Sequence, residues 1–200
     1  MITMLLNNEL IYFDEWINFH RKQGVNLFYI YLLNIVKNFN LEYENVNFIK
    51  INFSKYCHIY HFFKHFYNKH LSDWMAIIDI DEFLYSPLKD KKITDIIDIY
   101  EKEKKYAIAV NWKCFGSNNL EKNPDKKVLH KFTKCAQKNH GINTPIKSLF
   151  KISAIDVNNI KKSNIHKYVL KKGFKYYTTT GIDFVENNKK NLDKLKKVRE

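Results

Sequence analysis

The stretch WMAIIDIDEFL, Trp74 to Leu84, decides the fold. An almost unbroken apolar run, typical of a buried strand, leads directly into three acids, Asp79, Asp81 and Glu82. Removing water from charged groups without pairing them costs several kcal/mol. We therefore expect the acids to meet a metal ion or a polar ligand where the strand ends. The alternative is a solvated turn, which the apolar residues after the acids disfavour.

Asp79 and Asp81 are separated by one residue, which on an extended chain places both side chains on the same face. Two carboxylates on one face suit a hard cation such as Mg²⁺ or Mn²⁺. Such a cation can neutralise a pyrophosphate and act as a Lewis acid on a departing phosphate. An isolated DxD is a common chance match, but DIDEF directly after an apolar run is a more specific signal.

Strands and helices alternate along the first hundred residues, which predicts an α/β fold with a mostly parallel sheet flanked by helices. A strand at 2–6, a helix at 10–22 that ends near Gly24, and a strand at 25–33 form a βαβ unit. The remaining predicted strands are 46–53, 74–81, 106–112, 128–134, 146–152 and 175–179, and the remaining predicted helices are 54–70 and 93–104. Ligands of such sheets bind at the carboxyl ends of the strands, so Asn8, Glu9, Asp79 and Asp81 should share one edge.

The composition supports a globular protein with a sizeable core, since 45% of its 200 residues are hydrophobic and 16% are aromatic. The net charge of +13 indicates either a lysine-rich solvated surface or attraction to a polyanion, and much of the excess follows Asn158. Three cysteines without a CxxC pair favour a reducing cytoplasm over a disulfide framework. No stretch is long and apolar enough for a membrane span, so any membrane contact should be peripheral.

Several blocks resemble glycosyltransferase family 92 and its family-2-like relatives. NNELIYFDEWINFHRKQGVNLFYIY, residues 7–31, resembles the opening of the family, and WMAIIDIDEFL resembles its DxD block. VNWKCFGSN, residues 110–118, resembles its Trp-x-x-Phe-Gly-Ser block. IKSLFKI, residues 146–152, followed by His166, resembles its Lys-Ser run and a later His. The matches keep the family's order over about residues 2 to 170.

The resemblance implies a single GT-A domain that transfers a hexose from a nucleotide-sugar, with Mn²⁺ or Mg²⁺ as cofactor. The expected donor is a UDP-sugar, the expected acceptor is a glycan or lipid-linked glycan in polysaccharide biosynthesis, and the expected outcome is inversion. Asn8 and Glu9 would lie near the nucleotide base. Asp79 would approach the ribose and the metal, Asp81 would bind the metal, and His166 would be a further metal ligand.

The same resemblance implies that the acceptor side of the site is lined by Trp112, Phe115, Gly116 and Ser117. An inverting transferase also needs a base for the acceptor hydroxyl, and Glu121 and Asp125 are candidates by position. Lys147 is interpreted either as a ligand of the donor diphosphate or as an ordinary lysine at a strand edge. By extent of resemblance, residues 1–170 form the transferase domain and 171–200 a lysine-rich extension or a further part of that domain.

Other interpretations stay open at this point. The family's His-Tyr pair beyond the metal His has no visible counterpart, so a weak or inactive protein that binds glycan or nucleotide-sugar is the alternative function. A nucleic-acid-binding protein would explain the charge, but no nucleic-acid motif accompanies it. The histidines of HFFKH, 61–65, are interpreted as a polar stripe rather than a zinc site. The segment 189–199 is either a solvated tail or a contact with an anionic membrane face on the cytoplasmic side.

Overall fold

The computed structural model describes residues 1–5, 7–33, 43–51, 72–121, 127–164 and 166–184. Its first sheet contains three parallel strands in the order β1-β2-β3: Ile2–Leu5 (β1), Phe28–Leu33 (β2) and Val46–Ile51 (β3). Its second sheet has the order β4-β6-β5-β7: Trp74–Ala76 (β4), Ala107–Asn111 (β5), Ile146–Lys151 (β6) and Tyr177–Thr178 (β7).

A parallel bridge between Ile2 and Ile77 joins the two sheets, and the Ile78 amide donates to the carbonyl of Ile2 at 3.1 Å. The seven strands of the described residues therefore run β3-β2-β1-β4-β6-β5-β7. In this order β6 is antiparallel to both of its neighbours, and the other adjacent pairs are parallel. The predicted α/β fold with a mostly parallel sheet is confirmed.

The first connection is the predicted βαβ unit. A short 3-10 helix, Asn7–Tyr12, leads from β1 into helix α1, Phe13–Lys22. The buried residues of α1 recur at helical spacing, which is why the helix lies flat on the sheet: Phe13, Trp16, Ile17 and His20. Gly24 ends the turn after α1 with φ +89°, and a Cβ there would lie 2.5 Å from the hydroxyl of Thr94. Both the backbone conformation and the close approach require glycine at this position.

Both faces of the sheet are covered, which explains the continuous apolar sequence of β2. Phe28, Ile30 and Leu32 pack on the face that carries α1 and a second helix, Ile93–Lys102 (α2). Tyr29 and Tyr31 pack on the other face, against residues that include Phe150 and Tyr168. Within the described residues, no helix is long and apolar enough to cross a bilayer.

Three local predictions have other outcomes. The predicted strand 74–81 is wrong in length, because β4 ends at Ala76 and the acids follow in a turn instead of an extended segment. The predicted strand 128–134 is wrong in type, because Val128–Lys131 forms a one-turn helix, α3. The predicted helix 54–70, with its histidines, lies outside the described residues.

Candidate active site

The acids of the DIDEF sequence form a hydrogen-bonded turn, residues 79–82, which we call the acid turn. The Glu82 amide donates to the carbonyl of Asp79 at 3.1 Å, and the Asp79 amide donates to the Glu82 carboxylate at 2.9 Å. Ile80, within the turn, is buried in the hydrophobic core, whereas Asp79 and Asp81 are exposed. The turn therefore anchors itself through Ile80 and presents two carboxylates to solvent.

Two buried side chains of helix α1, Trp16 and His20, hydrogen-bond to the backbone of the acid turn and of the residues that follow it. The indole N–H of Trp16 donates to the carbonyls of Asp79 and Glu82, at 3.2 and 2.9 Å. His20 Nε2 accepts the amide of Leu84 at 3.0 Å, so Nδ1 carries the proton and donates to the Trp16 carbonyl at 2.9 Å. Burial lowers the pKa of His20 to about 3, and the ring is neutral at physiological pH.

Lys147 approaches the acid turn from β6. Its ammonium lies 2.9 Å from Asp79 Oδ2 and 3.2 Å from Glu82 Oε2, and the residue is only 5% exposed. A nearly buried ammonium is tolerated only when it is paired in this way. Burial raises the pKa of Glu82, and the charge of Lys147 acts in the opposite direction. The structure therefore places Lys147 inside the acid cluster, while its contact with a donor diphosphate stays a prediction.

These groups lie at one edge of the sheet, as the topology predicts. β1 and β4 are joined in parallel, so the helix 7–12, which contains Asn8 and Glu9, and the acid turn both leave the carboxyl edge. β6 runs in the opposite direction, which brings its first residues, including Lys147, to the same edge. β5 also ends there and leads into Trp112.

His166 is held beside the start of β6. Its Nδ1 lies 3.0 Å from the carbonyl of Ile146, its own carbonyl accepts the hydroxyl of Ser148 at 2.6 Å, and its ring meets the ring of Trp112 at 5.4 Å. Because a carbonyl can only accept, Nδ1 carries a proton, and in the neutral imidazole Nε2 is the nitrogen with the lone pair. A carbonyl-oriented imidazole of this kind suits a metal ligand.

The structure does not gather the predicted metal ligands into a ready-made site. In the described part of the chain, no group of three or more His, Cys, Asp or Glu side chains is arranged to hold a metal ion. Asp79 and Asp81 share the acid turn, whereas His166 is positioned by contacts with β6 and Trp112. The metal roles of Asp79, Asp81 and His166 stay predictions.

The predicted acceptor side is part of two joined segments, residues 112–121 and 127–145, which together we call the platform. A bridge between Phe115 and Cys135 joins its two segments, with the Gly116 amide donating to the Lys134 carbonyl at 2.9 Å. The Asn118 amide group donates to the Lys131 carbonyl at 2.7 Å, and its oxygen accepts the Lys134 amide at 3.0 Å. Hydrogen bonds therefore join the two segments of the platform into one unit.

The candidate acceptor residues differ in exposure. Trp112 is half-buried, whereas Phe115, Gly116 and Ser117 are exposed. Of the two candidate bases, Glu121 is exposed at the end of the first platform segment, and Asp125 lies outside the described residues.

Glu15 connects helix α1 to the platform, and sequence reasoning assigned no role to it. Its carboxylate accepts the amides of Val128 and Leu129, at 2.5 and 3.3 Å, which are the first two residues of α3. A carboxylate at this position satisfies helix-terminal amides that would otherwise have no partner within the helix. Glu15 and Trp16 thus fix the platform and the acid turn from consecutive positions of one helix. The sequence signal that could have indicated this role is the pair Glu15-Trp16, followed four residues later by His20.

A family comparison identifies the chain. The model for glycosyltransferase family 92 matches residues 64–198, well over half of the sequence. The protein belongs to glycosyltransferase family 92. The match includes the acid turn, the platform, Lys147 and His166, and it confirms the predicted family; the opening block, residues 7–31, lies before the matched range. Membership makes the protein a glycosyltransferase, with a nucleotide-sugar donor and a glycan acceptor in general terms.

Three solved structures show partial similarity to the chain. HddC from Yersinia pseudotuberculosis shows 11% identity, covers 88% of each chain and has a TM-score of 0.43. A protein provisionally named glucose-1-phosphate thymidylyltransferase from Bacillus anthracis shows 12% identity over 82% of this chain and 74% of its own, with a TM-score of 0.41. The 4-diphosphocytidyl-2C-methyl-D-erythritol synthase of Anaerococcus prevotii shows 8% identity over 98% and 84%, with a TM-score of 0.38. No curated protein matches the sequence.

Proposed function

We propose that this glycosyltransferase is a metal-dependent hexosyltransferase that uses a UDP-sugar and inverts the configuration at the anomeric carbon. The observation that carries the proposal is the acid turn, in which Asp79 and Asp81 face solvent at the carboxyl edge of the sheet. Exposed acids alone are commonplace. Here, however, the indole N–H of the buried Trp16 donates to two backbone carbonyls of the turn, and these hydrogen bonds fix its shape.

The donor set fits a hard divalent cation. Asp79 and Asp81 offer carboxylate oxygens, the ligand type that Mn²⁺ and Mg²⁺ prefer, and His166, held through Nδ1, would add the Nε2 of its imidazole. The proposed ligands are Asp81 and His166, with Asp79 shared between the metal and the donor ribose. When bound, the metal would supply Lewis-acid stabilisation of the departing diphosphate.

Residues of the chain would supply the remaining functions. Lys147 carries a fixed positive charge at the acid turn, where a diphosphate would enter, and its burial keeps that charge poorly screened. Asn8 and Glu9, after β1, would contact the nucleotide base. Trp112 and Phe115 would offer apolar faces to the acceptor sugar, and Glu121 or Asp125 would take the proton of the acceptor hydroxyl.

The experiment is a measurement of UDP release from a panel of UDP-sugars, with acceptor glycans and lipid-linked glycans, in the presence of Mn²⁺ or EDTA. Release should require the metal, and Asp81→Ala should lower it at least about a hundredfold, in line with the loss of a group that stabilises charge in the transition state. Asp98→Ala, a change of an exposed acid on α2, is the matched control. Equal turnover of Asp81→Ala and wild type would reject the metal assignment.

The alternative function predicts a different pattern in the same assay. A glycan- or nucleotide-sugar-binding protein without transfer activity would bind UDP-sugars in calorimetry but release no UDP with any acceptor. The assay also tests the donor, since a CDP- or GDP-sugar that outperforms every UDP-sugar would replace that part of the proposal. We further propose that the enzyme acts in the cytoplasm, which three cysteines without a CxxC pair favour.

A further inference from the structure

The platform has an apolar exterior that packing within the described residues does not explain. Four of its large hydrophobic side chains are exposed: Ile142 by 51%, Phe115 by 50%, and Leu120 and Leu129 by 40% each. Phe115 and Ile142 belong to adjacent backbone segments, because the Cys114 thiol lies 3.4 Å from the Ile142 carbonyl. Several exposed apolar residues on one compact unit mark an interaction surface more often than scattered single ones do.

The same unit is strongly basic. Among its described residues the acidic side chain is Glu121, whereas five lysines are exposed: Lys113, Lys127, Lys131, Lys134 and Lys138. In the described part of the chain, no salt bridge neutralises these lysines. The Lys113 ammonium lies 5.6 Å from the centre of the Phe115 ring, so positive charge and apolar surface alternate within a few ångströms.

We propose that the platform docks on the surface of a bilayer that contains anionic phospholipids, with its lysines among the headgroups and Ile142, Leu120 and Leu129 at the acyl boundary. Anionic headgroups complement the lysines, and the acyl boundary takes exposed aliphatic side chains. A nucleic acid would match the charge alone. Base stacking needs aromatic side chains, whereas three of the four exposed apolar residues here are aliphatic.

Docking by the platform would orient the catalytic edge toward the membrane, because the platform continues directly from β5 at that edge. This orientation deepens the proposed function, since a lipid-linked acceptor presents its sugar at the bilayer surface. The assignment differs from a contact through the lysine-rich segment 189–199, which the composition alone predicts.

The experiment is cosedimentation of the full chain with vesicles of phosphatidylcholine alone or of phosphatidylcholine mixed with phosphatidylglycerol. Binding should require phosphatidylglycerol and should weaken with added salt, as screening demands. Lys134→Gln should lower the partition coefficient about fivefold, the effect of one lysine near an anionic surface. Ile142→Ser, which removes an exposed side chain, should lower it by a similar factor.

Two controls make the assay specific for the platform. The pair Leu88→Ser and Lys91→Gln changes an exposed apolar residue and an exposed lysine outside it, and should leave binding unchanged. Neutralising the lysines of 189–199 should leave the effects of Lys134→Gln and Ile142→Ser in place. Circular dichroism verifies that each variant is folded.

Three results would overturn the proposal. One is the absence of cosedimentation at low salt, and another is an equal loss of binding in the Leu88/Lys91 control. The third is platform-dependent binding to duplex DNA with no binding to vesicles, which would assign the surface to nucleic acid. The assay contains neither donor nor metal, so its outcome is independent of the transferase test.

Discussion

His20 should make the stability of the protein depend on pH. In the folded chain the ring is buried and neutral, with Nε2 accepting the Leu84 amide, and burial lowers its pKa to about 3. In the unfolded chain its pKa is about 6.5. The folded pKa is the lower one, so this stabilising contribution is fully present above pH 6.5 and is lost as the pH falls toward 3.

The size of the effect follows from the two pKa values. At pH 5 the unfolded state binds nearly one more proton than the folded state, and integration from pH 7.5 gives a loss of about 2 kcal/mol. A loss of this size is a large part of the free energy of unfolding of an ordinary domain. Protonation would also remove the acceptor of the Leu84 amide, so the segment after the acid turn should loosen first.

The assay is urea unfolding at pH 7.5, 6.5 and 5.0 for wild type and His20→Gln. Glutamine can still accept a backbone amide but does not titrate, so the variant should start about 1 kcal/mol less stable and lose about 2 kcal/mol less between pH 7.5 and 5.0. His130→Gln, at an exposed histidine, should reproduce the wild-type pH response. Equal losses in wild type and His20→Gln would refute the reasoning, because other groups would then carry the whole acid response.

Three substitutions around the acid turn give further expectations. Trp16→Phe removes the donor to the Asp79 and Glu82 carbonyls and should cost about 3 kcal/mol in urea unfolding, and a loss below about 1 kcal/mol would contradict the hydrogen-bond assignment. Lys147→Met removes a cation that lies 2.9 Å from Asp79 and competes with a metal ion there, so calorimetry should show tighter Mn²⁺ binding. The same change should weaken UDP binding about tenfold, because a positive charge near the diphosphate is lost. A parallel loss of both affinities would indicate a folding defect. Glu15→Gln should raise hydrogen exchange at the first two amides of α3 about fivefold, with no change in the acid turn.

The sequence predicts those parts of the fold that local patterns determine. The βαβ unit follows from the change of apolar period between β1, α1 and β2, and the glycine after α1 is required by its positive φ. The shared edge of the acid turn and the helix 7–12 follows from parallel pairing alone. The βαβ unit needs no knowledge of distant residues, whereas the shared edge needs only the direction of the strands.

The shape of the site could not be predicted, because distant contacts determine it. The acids bend into a turn where Trp16 binds two of its carbonyls, and an apolar run gives no sign of those bonds. The segment 128–134 has the apolar content of a strand, but Glu15 caps its first amides from 113 residues earlier and a helical turn forms. Local propensity is a weak prior, and tertiary contacts override it at both places.

The long sequence separations at α1 have a consequence for the order of assembly during synthesis. Trp16 meets its partners 63 and 66 residues later, and Glu15 meets Val128 only after 113. The helix therefore leaves the ribosome long before the groups that it binds. Its apolar face stays in contact with water or with chaperones until most of the chain has been synthesised. We expect the catalytic edge to be the last region to mature, and a ribosome-bound chain that ends before residue 79 should expose Trp16 to fluorescence quenchers.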